Sequence, residues 1–225
     1  MKIIALIPYW SNYQFPVGSV KDRDTLTVGG HSLLERTIKL CNEVESVQDV
    51  VIYTSNTNVA KHIDDALDFT VIKRDLDLDN QDTSIEEIIE RFLQVSDADF
   101  IVLMHPRCPF IKANTVQECI TAVVNGNFDS AFVATQHKKL AWIKNKPLNY
   151  SIETNGKTPN LASVDPVMLE SSAVYVFSKN LFNTKKRRIA DEPFIKLVGK
   201  YEGFDIESED DYEIADLLIN AGFDK

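Results

Sequence analysis

The sequence predicts an α/β fold: a doubly wound, mostly parallel sheet with a small antiparallel arm inserted in its second half. Three observations carry this. Apolar runs of four or five residues alternate with segments whose apolar residues recur at helical spacing. The connections between them are short, as consecutive strand–helix units require. The rhythm breaks once, over residues 136–170, and then resumes.

The elements follow in order. Ile3-Ile4-Ala5-Leu6-Ile7 is a continuous apolar run, the pattern of a strand buried on both faces. An irregular stretch from Pro8 to Gly30 separates it from Leu33, Leu34, Thr37, Ile38 and Cys41, which share one helical face. Val50 to Thr54 reads as a second strand, Val59 to Leu67 as a short helix and Phe69 to Ile72 as a third strand. Ile85, Ile88, Ile89, Phe92 and Leu93 define an amphipathic helix, and Phe100 to Met104 a fourth strand. Residues 113–124 read as helix and 129–135 as strand, all still in one parallel sheet. Within 136–170, Asn, Lys, Pro and Gly interrupt short apolar pieces, which suits a projecting arm with antiparallel strands. Ala173 to Phe177 returns to the strand pattern. A last helix runs from about Glu209 to Asn220 and stops at Gly222.

Composition narrows the function. At 225 residues the chain reads as a single domain, residues 1–225, large enough to fold without disulfides or a structural metal. Lys and Arg number 24 against 34 Asp and Glu, a net charge of −10, which opposes sequence-independent binding to a nucleic-acid backbone. No apolar run is long enough to span a membrane and no cleavable signal is visible, so a cytoplasmic protein is expected. Cys41, Cys108 and Cys119 are odd in number and widely spaced, which indicates neither a disulfide framework nor a zinc knuckle.

Ligands of an open α/β sheet bind beyond the carboxyl ends of its strands. The segments to search are therefore Pro8–Gly30, Thr54–Asn56, Lys73–Thr83, His105–Phe110 and the residues around Asp205. Asp205 and Glu207 lie two apart, so on an extended strand both carboxylates would project to one side and suit Mg²⁺. The competing reading is a solvated acidic turn, with Ser208 and Asp211 forming a capping box for the last helix. Asp75, Asp77, Asp79 and Glu86 have the spacing of a calcium loop, but Asn80 stands where that loop needs Gly. A capping box of Thr83 with Glu86 explains that acid better. The basic run Lys185-Lys186-Arg187-Arg188 reads as a solvated loop, or as an attractor of an anionic substrate.

Four landmarks resemble one family. Ile7-Pro8 is followed by a long loop and Leu26-Thr27-Val28-Gly29-Gly30-His31-Ser32-Leu33-Leu34; then come Leu103-Met104-His105-Pro106-Arg107-Cys108-Pro109-Phe110, Glu170-Ser171-Ser172-Ala173-Val174-Tyr175-Val176-Phe177 and Asp205-Ile206-Glu207. In this order they resemble the acylneuraminate and 3-deoxy-octulosonate cytidylyltransferases of the nucleotidyltransferase superfamily. The resemblance implies a Rossmann-like fold of the nucleotide-diphospho-sugar transferase type, a homodimer joined through the arm, and transfer of CMP from CTP to an anionic sugar acceptor.

The resemblance also implies roles. Lys21 and Arg23 would steady the triphosphate, with Pro8, Tyr9, Trp10, Ser11, Asp24, Arg74 and Ser84 on the nucleotide side. His105, Arg107 and Glu170 would face the acceptor, and Asp205 and Glu207 would hold Mg²⁺. The departures are concentrated in the first loop. The family's basic, glycine-rich segment is replaced by Tyr9 to Ser19, which holds one glycine and no basic residue. His105 and Arg107-Cys108 stand where the family has Gln and Thr-Ser. Arg74 would contact the base, or else pair with Asp75 at the surface. A non-catalytic relative acting as a binding or partner subunit, or an enzyme using another nucleoside triphosphate, remains the alternative.

Overall fold

A computed structural model describes residues 1–10, 26–80, 82–152, 157 and 159–223. Ser11, Lys21, Arg23 and Asp24, expected on the nucleotide side, lie outside the described residues.

The described chain runs β1 (Ile3–Pro8), β2 (Thr27–Val28), β3 (His31–Ser32), α1 (Leu33–Asn42), β4 (Asp49–Thr54), β5 (Thr70–Lys73), α2 (Ile85–Val95), β6 (Phe100–Met104), α3 (Ala113–Val124), β7 (Ser130–His137), β8 (Trp142–Ile143), β9 (Lys146–Pro147), β10 (Val167–Ser178), α4 (Lys179–Lys185), β11 (Pro193–Val198) and α5 (Glu209–Asn220). A seven-stranded sheet has the order β11-β7-β10-β6-β1-β4-β5. All its strands are parallel except β10, which is antiparallel to both β6 and β7.

β1 is wholly buried because each face meets a different helical layer. Ile3, Ala5 and Ile7 pack with Leu34, Ile38 and Cys41 of α1 and with Val116, Cys119 and Ile120 of α3. Ile4 and Leu6 pack with Ile88, Ile89 and Phe92 of α2 and Phe182 of α4. Burying each of these large side chains stabilises the fold by about 1.5–3 kcal/mol. A third cluster joins Val28, Leu33, Phe110 and Ile206 to Ala215 and Ile219 of α5.

Local chemistry sets the helix ends. Ser32 with Glu35 opens α1 and Ser208 with Asp211 opens α5, each as a reciprocal capping box. After α5, Gly222 takes φ +83° and its N–H reaches the carbonyl of Ile219, while that of Phe223 reaches Leu218. Gly29 at φ +60° turns β2 into β3, and a Cβ there would lie 2.3 Å from Cγ2 of Ile219.

Several expectations change. α2 opens on Ser84 with Glu87, one residue later than Thr83 with Glu86. The short helix expected over Val59 to Leu67 is a 3-10 helix, Thr57–His62. β7 does not adjoin β6, because β10 is inserted between them. The arm contains the β8–β9 hairpin, and its base is the pairing of Val167–Glu170 with Ala134–His137.

Candidate active site

The chain leaves β1 towards β4 and β5 on one side and returns to β6 on the other. Ligands of such sheets bind at that reversal, beyond the carboxyl ends of β1 and β6. Pro8 closes β1, and Tyr9, buried, continues its ladder with an N–H bond to the carbonyl of Tyr53. Trp10 follows, with its ring 4.6 Å from the guanidinium carbon of Arg74.

Arg74 corrects the surface reading. It is fully buried after β5, its N–H donates to the carbonyl of Thr54 at 2.7 Å, and Nη2 pairs with Asp79, not Asp75. Ser55 also donates to Asp79. Nε and Nη1 of Arg74 are buried with no hydrogen-bond partner among the described residues. A stacked, buried guanidinium with spare donors is suited to a planar acceptor such as a base edge. Asp75 and Asp77 pair with Arg91, so the acids of the calcium-loop spacing are held by arginines. The Ser84 hydroxyl accepts from the N–H of Glu87, which commits it to capping α2.

A second group lies beyond β6. Arg107 follows a tight turn in which its N–H reaches the carbonyl of His105 at 2.8 Å. Its Nε lies 2.9 Å from Oδ1 of Asp205 and donates to the Ser172 hydroxyl. Ser172 in turn donates to Oδ2 of Asp205 at 2.5 Å. The carbonyl of Arg107 accepts from the N–H of Ile206 at 2.9 Å, which locks the two segments together. Ser172 reaches this position because β10 bulges against β7 between Ser171 and Tyr175, and bulges re-aim side chains. Cys108 is buried beneath both serines at 3.6 and 3.9 Å. Burial, helped by the Asp205 charge, pushes its thiol up to about 12, so it stays protonated and is no nucleophile.

A third group joins Tyr175, Glu170, His105 and Arg188. Tyr175 donates to Oε1 of Glu170 at 2.6 Å, and its ring meets His105 edge to face at 6.5 Å. Arg188 lies over the Tyr175 ring, 4.6 Å from its centre, pairs through Nη1 with Glu86, and stands 3.9 Å from Glu170. Burial first, and the Glu170 carboxylate second, push the Tyr175 phenol well above its ordinary value, so it remains a donor. Arg188 thus belongs to the site, whereas Lys185 and Arg187 of the same basic run pair with Asp191 and Lys186 with Glu90. Ser172, Tyr175, Asp79 and Arg188 were not expected to contribute here, although the sequence singles out Asp79 by its calcium-loop spacing, Arg188 by its basic run, and Ser172 and Tyr175 within a family landmark.

The acidic pair fits Mg²⁺ poorly. Residues 204–207 belong to no strand, although Ile206 is buried between the less buried Asp205 and Glu207. Glu207 is exposed; Oδ2 of Asp205 accepts from Ser172, while Oδ1 is ion-paired with Arg107 and buried without a hydrogen-bond partner among the described residues. Among the described residues no group of three or more His, Cys, Asp or Glu is placed to hold a metal.

Arginines near the switch point of an open α/β sheet suit a phosphate-bearing ligand. The comparisons agree. A family model described as cytidylyltransferase matches residues 20–164, so the chain belongs to the cytidylyltransferase family and is an enzyme of the nucleotidyltransferase class. Among solved structures, 4-diphosphocytidyl-2C-methyl-D-erythritol synthase from Anaerococcus prevotii superposes with a TM-score of 0.67 at 17% identity, covering 97% of this chain and 96% of that one. CMP:2-keto-3-deoxy-manno-octonic acid synthetase in complex with CTP gives 0.68 at 11%, covering 98% and 99%. The 2-C-methyl-D-erythritol 4-phosphate cytidylyltransferase of Thermus thermophilus gives 0.60 at 15%, covering 98% and 100%. These similarities establish the fold. No curated protein matches the sequence. Among the described residues no helix is long and apolar enough to cross a membrane.

Proposed function

We propose that the protein transfers CMP from CTP to a hydroxyl of an anionic sugar and releases pyrophosphate. The observation that carries this is the division of charge in the site. Arg74, stacked on Trp10, lies beyond β1 and β5, while Arg107 follows β6 and Arg188 packs over Tyr175 of β10. One end suits a base; the other suits phosphate or carboxylate.

In the proposed reaction the acceptor oxygen bonds to the α-phosphorus, the bond from that phosphorus to the β-phosphate bridging oxygen breaks, and the hydroxyl proton passes to solvent or a nearby base. Such a transfer depends on positioning and charge stabilisation, so no covalent enzyme intermediate is needed. Arg107 faces the phosphates; His105 and Arg188 orient the acceptor, with Glu170 and Tyr175 fixing Arg188. Lys21 and Arg23 are assigned to the triphosphate by family resemblance. Mg²⁺ enters this reading as a counter-ion of the triphosphate, with no step assigned to it. The arm is proposed to join two copies in a homodimer. A pyrophosphate-release assay with the four nucleoside triphosphates against a panel of anionic sugars tests the reading. Release with CTP and one acidic sugar is expected; release with none of them rejects it.

A further inference from the structure

We infer that the Arg107 guanidinium supplies the fixed positive charge at the phosphate end of the site, in the place of a divalent cation anchored by the protein, and that Asp205 and Ser172 are positioning residues for it. The inference rests on the proposed CTP reaction and deepens it.

Mg²⁺ takes oxygen ligands at near-ideal octahedral positions and binds carboxylates whose oxygens are accessible. Oδ1 of Asp205 is buried and accepts no hydrogen bond among the described residues, so it presents no open oxygen to solvent, and its charge is met by the ion pair with Arg107. Oδ1 lies 2.9 Å from Arg107 Nε, and Oδ2 accepts the Ser172 hydroxyl at 2.5 Å and its backbone N–H at 3.4 Å. Arg107 and Asp205 are partly buried, their side chains 24% and 17% exposed, so their attraction is screened less than a surface pair's. A divalent cation on Oδ1 would have to displace a guanidinium that is hydrogen-bonded to Ser172 and ion-paired with Asp205.

The same bonds define what Arg107 can do. Nε donates to the Ser172 hydroxyl and stands 2.9 Å from Oδ1 of Asp205, which fixes the plane of the guanidinium. Binding through Nε leaves the Nη fork to meet phosphate oxygens two at a time. The tight turn from His105 and the Ile206 N–H bond hold the backbone beneath it. Asp205 therefore sets direction, and the charge that meets the nucleotide is that of Arg107.

Two measurements test this. The first is Mn²⁺ titration of the protein alone, followed by electron paramagnetic resonance, for the wild type and Asp205→Asn. The expected result is the same weak, nonspecific Mn²⁺ uptake by both; a wild-type site that disappears in Asp205→Asn overturns the inference. The second is CTP binding in EDTA for the wild type, Arg107→Met and Arg107→Lys. Binding without metal is expected in the wild type, weakened by roughly ten- to a hundredfold in Arg107→Met and partly restored in Arg107→Lys. Unchanged affinity in a folded Arg107→Met, checked by circular dichroism, overturns the inference. A wild type that binds CTP only with metal also overturns it. A wild type that binds CTP under no condition rejects the proposed function, and the Mn²⁺ titration still judges Asp205.

Discussion

Arg188 and Tyr175 form a stacked pair, with the guanidinium 4.6 Å from the ring centre, although one lies in a loop after α4 and the other within β10. Tyr175 holds Glu170 at 2.6 Å, and Arg188 reaches Glu170 and Glu86, so one cation is fixed by a ring and two carboxylates. Arg188→Met is expected to raise the KM for the anionic acceptor by roughly ten- to a hundredfold, the loss of one charge-assisted contact. The KM for CTP should be nearly unchanged. Steady-state pyrophosphate release with each substrate varied in turn measures both. A rise confined to CTP would move Arg188 to the nucleotide side.

Arg74 and Asp79 make an asymmetric ion pair, fully buried on the arginine side and 32% exposed on the carboxylate side. Asp79→Asn leaves a buried guanidinium without its counter-charge and should destabilise the fold by about 3–5 kcal/mol. Arg74→Met leaves a carboxylate that water can reach and fills the space with an apolar chain, so its cost should be smaller. Urea unfolding of the two variants gives the order. A larger loss for Arg74→Met would show that the stack on Trp10, more than the pair, holds this corner.

Much of the fold was legible because single segments carry it. Ile3 to Ile7 shows a strand buried on both faces by its own composition, and α5 is bracketed by Ser208 and Gly222. β11 was not read because it is an edge strand that starts with a proline and carries Lys196, features an edge tolerates. The opening of α2 was misplaced by one residue since Thr83 with Glu86 and Ser84 with Glu87 have the same capping spacing. The site was less legible. Arg107 and Asp205 each stood out, but their partner Ser172 comes from a bulge that no local pattern marks. Arg188 looked like one of four solvated cations because Glu86 and Glu170 are distant in sequence.

The arm exposes Trp142, Ile143, Leu148 and Ile152, each more than half accessible, around the β8–β9 hairpin. Trp142 touches Tyr150 edge to face at 6.1 Å, so the ring is oriented yet uncovered. If the proposed dimer forms through this surface, Trp142→Asp should convert it to a monomer without altering the fold. Sedimentation equilibrium would show the mass halved, and circular dichroism would be unchanged. A wild-type monomer would reject the homodimer; a dimer that survives the substitution would place the interface elsewhere.

The three buried thiols give stability a defined pH dependence. Burial pushes Cys41, Cys108 and Cys119 from 9.0 up to about 12. The folded protein therefore keeps protons that the unfolded chain releases once the pH passes 9. Their contribution is intact below pH 9 and is lost as pH rises towards 12, by up to about 1.4 kcal/mol per pH unit for each thiol. Urea midpoints at pH 8, 9 and 10 should fall mainly over the last step. That window lies below the raised values of Tyr53, Tyr175, Lys2 and Lys196, whose ordinary values are 10.0 for the tyrosines and 10.5 for the lysines. Cys119→Ala should be less stable at pH 8, since it leaves a small void, but should lose less on going to pH 10. Equal slopes for the variant and the wild type would mean that Cys119 ionises in the folded state at its ordinary pH, and that water reaches the layer between α3 and the sheet.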